Sequence, residues 1–255
     1  MICLKTIEAL REFRSLISGT VGFVPTMGAL HSGHLSLIER SRGETDQTIV
    51  SIYVNPTQFN NASDLNNYPC TLRDDLRKLS SSEVAAVFLP DYDMLYPDNF
   101  SYQIDEKNFS HELCGEHRPG HFTGVLTVVM KLLNLVKADK AYFGDKDFQQ
   151  LSLVQGMAQA FFIDTEIIGC PIVREDDGLA MSSRNVNLSA SERARSPLFH
   201  KILSSGRDDE EVIRQLRLAG FEIDYVATKL GRRFGAVLFG TKNSPVRLID
   251  NVAIG

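Results

Sequence analysis

The chain has 255 residues, which leaves room for one large domain or two modest ones. Hydrophobic residues make up 43% and charged residues 23%, the balance of an ordinary globular chain, and a formal net charge of -5 with no basic stripe argues against a nucleic-acid partner. Cys3, Cys70, Cys114 and Cys170 are scattered with no Cys-x-x-Cys, so neither a disulfide framework nor a zinc site is expected, and a reducing cytoplasm fits.

The first residues read as a short strand followed by an amphipathic helix, without the long apolar core of a signal peptide. No apolar run is long enough to span a membrane. Val21, Phe23 and Val24 read as the end of a buried strand that Pro25 stops, and Gly28 and Gly33 bracket a tight connection. A helical face begins at Leu35 with Leu37 and Ile38, so His31 and His34 lie at the helix start, in the pattern His-x-Gly-His. Free backbone N–H groups and the helix dipole favour an anion there, and Gly33 removes a side chain where a ligand must come close. Two imidazoles three apart can add hydrogen bonds to phosphate oxygens.

Residues 48–54 form a β-branched strand run, ended by Asn55-Pro56-Thr57-Gln58-Phe59 and a polar loop over 60–68. A helix follows near Thr71, which with Asp74 makes a capping arrangement. Residues 84–89 are the next strand, stopped by Pro90, and 91–99 are a loop. Residues 111–121 are loop-like, and His111, His117 and His121 there fit no compact ligand set, which assigns them loop and packing roles. Residues 122–136 are apolar at helical spacing, the mark of a buried packing helix. A short strand at 140–143 precedes Gly144-Asp145-Lys146-Asp147-Phe148-Gln149-Gln150 and a helix carrying Leu151, Val154 and Met157. Residues 166–173 are again strand-like, leading to a polar stretch that ends in Gly178-Leu179-Ala180-Met181-Ser182-Ser183-Arg184. Beyond it come a charged helix over 208–218 and short strands at 222–227, 235–240 and 246–249.

Strands alternate with helices through the first two-thirds of the chain, which predicts an α/β fold. The expectation is a Rossmann-like doubly wound parallel sheet over residues 1–172 and a smaller C-terminal α+β domain over 173–255. Four polar clusters each follow a strand-like run, and in an open parallel sheet they would meet at the carboxyl edge. Lys146 and Arg184 supply cations, His31 and His34 donors, and Ser182 and Ser183 hydroxyls, an inventory suited to a polyphosphate. Gly144 and Gly178 allow close backbone approach. Gln58 and Gln150 suit a small substrate with hydroxyls and a carboxylate. There is no P-loop and no Gly-x-Gly-x-x-Gly.

Several blocks together resemble the pantoate–β-alanine ligase family: PTMGALHSGH at 25–34, VNPTQF at 54–59, RPGHF at 118–122, FGDKDFQQ at 143–150 and GLAMSSRN at 178–185. The likeness runs from Thr6 to about Leu203 and returns in RLIDN at 247–251. It implies that ATP and (R)-pantoate form an enzyme-bound pantoyl adenylate and pyrophosphate, after which β-alanine displaces AMP to give pantothenate, on the route to coenzyme A. Magnesium, a homodimer and a cytoplasmic location are also implied, with no tightly bound organic cofactor. By position, Pro25, Thr26, Met27, Gly28, Ala29, Leu30, His31, Ser32, Gly33 and His34 would form an ATP-binding segment, with His34 the proton donor. Gly144, Asp145, Lys146 and Asp147 would hold ATP, with Lys146 on the phosphates. Val173 would pack on the adenine side, and Met181, Ser182, Ser183 and Arg184 would close over the phosphates. Gln58 would touch pantoate and β-alanine, Gln150 would bind pantoate, and Asp74, or its neighbour Asp75 in its place, would associate with magnesium. The chain departs from the family pattern at Cys70 (usually Arg), Thr57 (usually Met) and Asp145 (usually Glu), and its C-terminal part is short. A nucleotidyltransferase acting on a phosphorylated acceptor, a class I aminoacyl-tRNA synthetase fragment and a nucleotide-sensing module share parts of this pattern.

Overall fold

A computed structural model describes residues 1–241 and 244–254. Six strands form one parallel sheet: β1 (Ile2–Leu4), β2 (Val21–Thr26), β3 (Gln47–Ile52), β4 (Ala86–Phe88), β5 (Lys140–Gly144) and β6 (Glu166–Cys170). Their order is β1-β4-β3-β2-β5-β6, so the chain runs outward from β2 in one direction, then returns to start again at β5. The crevice beyond the ends of β2 and β5 is therefore the switch point of the sheet, where ligands bind in such folds. Two apolar clusters fill the two faces, one built on Phe23, Ile49 and the helix His121–Val136, the other on Val24, Val50, Leu37 and Ile38. Gly22 lets the helix Ser32–Glu44 press onto β2, since a Cβ there would collide with Ser41.

Pro25 does not stop β2: the strand continues through it to Thr26, paired with Ser51 and Ile52 of β3. Val21 accepts from Asp139 on the β5 side, whereas Thr26 accepts from Tyr53 on the β3 side. Alternate residues of a parallel strand face alternate neighbours, so Pro25 turns its N–H-less nitrogen toward β5. Pairing between β2 and β5 has already ended at Phe23–Ala141. The proline thus sits where the two strands part, and the missing donor leaves no unfilled ladder position.

β7 (Glu222–Lys229), β8 (Arg232–Thr241) and β9 (Ser244–Ala253) make a separate antiparallel sheet. With the helices Pro197–Leu203 and Asp209–Leu218 it encloses its own apolar core around Phe199, Leu216, Val237 and Leu248. Among the described residues no helix is long and apolar enough to cross a membrane. The 60–68 stretch, expected as loop, contains the short helix Ala62–Asn66, and 91–99 contains the helical turn Tyr92–Leu95. Thr71 does precede the helix Leu72–Ser81, but its side chain makes no cap bond and instead donates to Asp75 at 3.2 Å.

Candidate active site

The carboxyl ends of β2 and β5 open into a cavity of about 240 Å³. Pro25, Thr26, Met27, His31, Gly33, His34, Gln58, Gly144, Lys146, Asp147, Gln150, Val173, Met181, Ser182, Ser183 and Arg184 all line it, so segments far apart in sequence do meet there.

The histidine pair works differently from the sequence expectation. His31 is the N-cap of the helix Ser32–Glu44 and His34 its third residue. His31 Nδ1 accepts from the backbone of Gly33 at 3.2 Å, and His34 Nδ1 accepts from the backbone of His31 at 3.3 Å. The rings thus form a reciprocal capping box, filling donors that an anion was expected to use. Gly33 is required by the cap itself: a Cβ there would lie 2.9 Å from the His31 ring. Because both Nδ1 atoms accept, both rings carry their proton on Nε2, and among the described residues no protein group takes either Nε2–H. Burial is the main force that lowers the pKa of His31 to about 4, followed by the charge of Lys146. Burial, then the His31 ring, lowers that of His34 to about 3. At neutral pH the cleft therefore presents two uncharged N–H donors whose ring centroids are 4.1 Å apart, rather than an imidazolium able to release a proton.

Gly28, Ala29, Leu30 and Ser32 do not line the cavity. Ala29 and Leu30 donate their backbone N–H to the fully buried Asp75 carboxylate at 2.9 and 2.8 Å, Gly28 donates to Thr26, and Lys78 reaches the Leu30 carbonyl. Gly28, Ala29 and Leu30 brace the turn instead of offering donors to a ligand, and Ser32 is exposed at the helix start. Asp74, one residue earlier, is exposed, pairs with Arg77 and is absent from the cleft wall. Asp145 also points away, toward Gly169, and burial raises its pKa. Its backbone carbonyl and that of Lys146 accept from Asn251 of β9 at 2.8 and 3.0 Å, which ties the loop after β5 to the C-terminal sheet. Gly178 lies at a turn rather than on the cavity, held through its carbonyl by Arg174, which Asp250 grips at 2.7 and 2.9 Å. Cys70 is exposed and outside the cleft.

Gln58 owes its orientation to Asn55, buried to 1% exposure, whose Nδ2 donates to Gln58 Oε1 at 3.0 Å. That leaves the Gln58 NH₂ free to donate toward the cavity. Asn55 is itself fixed by Tyr96 (2.9 Å) and Thr57 (3.0 Å), so Thr57 adds a hydroxyl to this network. The neighbouring Gln149 is consumed by Cys114, Phe109 and Glu112, while Gln150 faces the cleft. Val125, Val129 and Leu132 complete an apolar wall beside the two glutamines, so the helix His121–Val136 lines the site as well as packing the core.

Arg118 and His121 belong to the site, which the packing role expected for His121 did not foresee. His121 Nδ1 donates to the Gln58 carbonyl at 2.8 Å, leaving Nε2 to accept from Arg118 at 3.1 Å. Burial, and next the charge of Arg184, pushes the Arg118 pKa down to about 10. Asp64 grips Arg184 bidentately at 3.1 and 2.9 Å, and Arg193 takes Asp177. The Arg184 guanidinium also lies 5.2 Å above the Tyr68 ring. Ser183 donates to the Ala29 carbonyl at 3.1 Å, closing the 181–184 segment onto the histidine turn.

The comparisons agree with this geometry. A protein of Bdellovibrio bacteriovorus named pantothenate synthetase is 50% identical over 251 residues, covering 98% of both chains. One of the same name from Coxiella burnetii is 48% identical, over 97% of this chain and 96% of that one. The crystal structure of pantoate-beta-alanine ligase from Francisella tularensis, complexed with beta-gamma ATP and beta-alanine, superposes with a TM-score of 0.92 at 41% identity, covering 99% of this chain and 97% of that one. The family described as pantoate-beta-alanine ligase matches residues 2–253, and the chain belongs to it.

Proposed function

We propose that this chain condenses (R)-pantoate with β-alanine by way of a bound pantoyl adenylate. The observation that carries the reading is the adjacency of two chemistries in one cleft: the neutral histidine pair with Lys146, and the apolar pocket with Gln58 and Gln150. A carboxylate is a poor electrophile, and transferring AMP to it supplies a leaving group. In the first step a pantoate carboxylate oxygen attacks the α-phosphorus, and the bond to the β-phosphate bridging oxygen breaks to release pyrophosphate. In the second the amine of β-alanine attacks the acyl carbon, the bond to AMP oxygen breaks, and the amine gives up a proton.

The residues fit these steps. Nε2–H of His31 and His34 would donate to phosphate oxygens, and Lys146 would offset charge that develops in the transition state. The uncharged rings need no change of protonation to do so. Gln58 and Gln150 would hold the pantoate hydroxyls and carboxylate, with Val125, Val129 and Leu132 against its paired methyl groups. Val173 would flank the adenine, and Met181, Ser182, Ser183 and Arg184 would cover the phosphates. The described residues contain no cluster of three or more His, Cys, Asp or Glu suited to a metal. Asp147 is the carboxylate of the cleft wall among them, and Asp74 lies outside it. They do not form a resident magnesium site, so the ion would enter bound to the triphosphate. The homodimer, the cytoplasmic location and the place in coenzyme A synthesis rest on the family resemblance.

The test is exchange of labelled pyrophosphate into ATP. Exchange that requires pantoate and proceeds without β-alanine supports the adenylate. Exchange independent of pantoate would mark AMP transfer to another acceptor, and ATP binding with no exchange in the presence of pantoate would mark a nucleotide-sensing role; either would overturn the reading.

A further inference from the structure

We propose that Asp64 is a positioning residue for the first chemical step, acting by fixing the guanidinium of Arg184 before ATP arrives; this rests on the ligase reading above. Asp64 lies on the helix Ala62–Asn66, 120 residues from Arg184, yet both its oxygens are engaged, one on Nε and one on Nη2. The planar fork of Arg184 matches the carboxylate edge to edge, which sets direction as well as charge. Nη1 keeps no protein partner among the described residues, so one edge of the guanidinium stays available. The Tyr68 ring beneath it removes the remaining freedom to tilt.

The same carboxylate lies 3.9 Å from Arg118. Two guanidiniums at one cleft wall repel each other, and Asp64 is the anion between them. Arg184 also lines a second cavity of about 290 Å³ on the far side, which Asp64 shares. The ion pair is therefore the partition between the cleft and that outer space. Without Asp64 the long Arg184 side chain has room to swing outward, away from the phosphates. Ordering the side chain in advance removes a rotamer cost from the reaction step.

A positioning role and a bracing role predict different kinetics. Asp64→Asn keeps the shape and leaves the Arg184 charge in the cleft, but removes the second acceptor oxygen. We expect kcat for pantoate-dependent pyrophosphate release to fall about tenfold or more. KM for ATP should change less than about twofold, because the remaining amide oxygen still keeps the cation at the cleft wall while its direction is lost. In the Arg184→Ala background, Asp64→Asn should have no further effect on kcat. Wild-type kcat in a folded Asp64→Asn protein, a rise in KM with kcat unchanged, or effects that multiply in the double variant would each overturn the proposal. If Asp64→Asn does not fold, Arg184→Lys approaches the pair from the other side: it keeps the charge without the fork and should reproduce the kcat loss. Should the wild type release no pyrophosphate with pantoate, the ligase reading fails by itself. The clamp is then judged by melting: coupled shifts in the double variant support it, and additive shifts overturn it.

Discussion

Gly124→Ala should damage catalysis far more than stability. Gly124 lies in the first turns of the helix His121–Val136, where that helix crosses the turn that carries Gln58. A Cβ at this position would stand 2.6 Å from the carbonyl carbon of Thr57 and 2.7 Å from the backbone nitrogen of Gln58. Both are main-chain atoms, so no side-chain rotation relieves the clash. Reaching a carbon contact of roughly 3.5 Å requires a relative shift of about 1 Å. The Gly124 carbonyl also accepts from Asn55 Nδ2, so the residue that orients the Gln58 amide moves too. Overpacking of this kind costs about 1–3 kcal/mol, of which the better helix propensity of Ala returns about 1 kcal/mol. The melting temperature should fall by only a few degrees, at about 2–4 °C per kcal/mol for a chain of this size. A misplacement of about 1 Å at a reacting group can cost on the order of a hundredfold in rate. The assay is pyrophosphate release with pantoate and ATP varied in turn: kcat/KM for pantoate should drop about a hundredfold, with KM for ATP nearly unchanged. Wild-type kcat/KM for pantoate in the folded variant would refute the reasoning.

Three further outcomes follow from the same geometry. His34→Ala should lower adenylation about a hundredfold or more, the usual cost of losing one transition-state donor, and near-normal turnover in a folded variant would contradict the donor role. Burial holds His31 and His34 at about 4 and 3, and His121 well below its usual 6.5. Between those values and 6.5 the unfolded chain binds protons that the folded chain excludes, so stability rises with pH through this window and is lost on acidification. Urea midpoints should accordingly be lower near pH 5 than near pH 7, and His34→Asn should narrow the gap; a flat profile would count against the neutral rings. Asp75→Ala should destabilise the chain by about 3 kcal/mol, since it strands the buried Leu30 N–H and the half-buried Ala29 N–H. Asp74→Ala should stay within about 0.5 kcal/mol, as surface substitutions do, and equal losses measured by urea unfolding would show that the two carboxylates are misassigned.

The parallel sheet was legible because runs such as 48–54 and 140–143 are apolar, and their alternation with helices leaves little choice of architecture. The order of strands was not, since pairing partners are chosen by packing between distant segments. Asp74 and Asp75 illustrate the limit within the site. They are neighbours on one helix, and turning by one residue separates a solvent-facing carboxylate from a fully buried one. The phase was available, because Asp75 shares its face with Leu79, four residues on. The helix Ala62–Asn66 gave no such signal: five residues with one leucine show no period, so Asp64 was invisible as the partner of Arg184. The spacing of His31 and His34 pointed to the turn that lines the cavity, while which donors the two rings offer depended on the capping box. A residue at the N-cap paired with another three positions on is a known reciprocal arrangement, and that spacing was the available clue.

Oxygen transfer from pantoate to AMP tests the central claim most directly. With both carboxylate oxygens of pantoate labelled with the heavy isotope, the carboxylate that attacks the α-phosphorus leaves one of its oxygens on the nucleotide. The account predicts AMP carrying one heavy oxygen, pyrophosphate carrying none, and pantothenate keeping the other in its amide carbonyl. Label in inorganic phosphate with ADP as the nucleotide product, or unlabelled AMP beside labelled pyrophosphate, would contradict it.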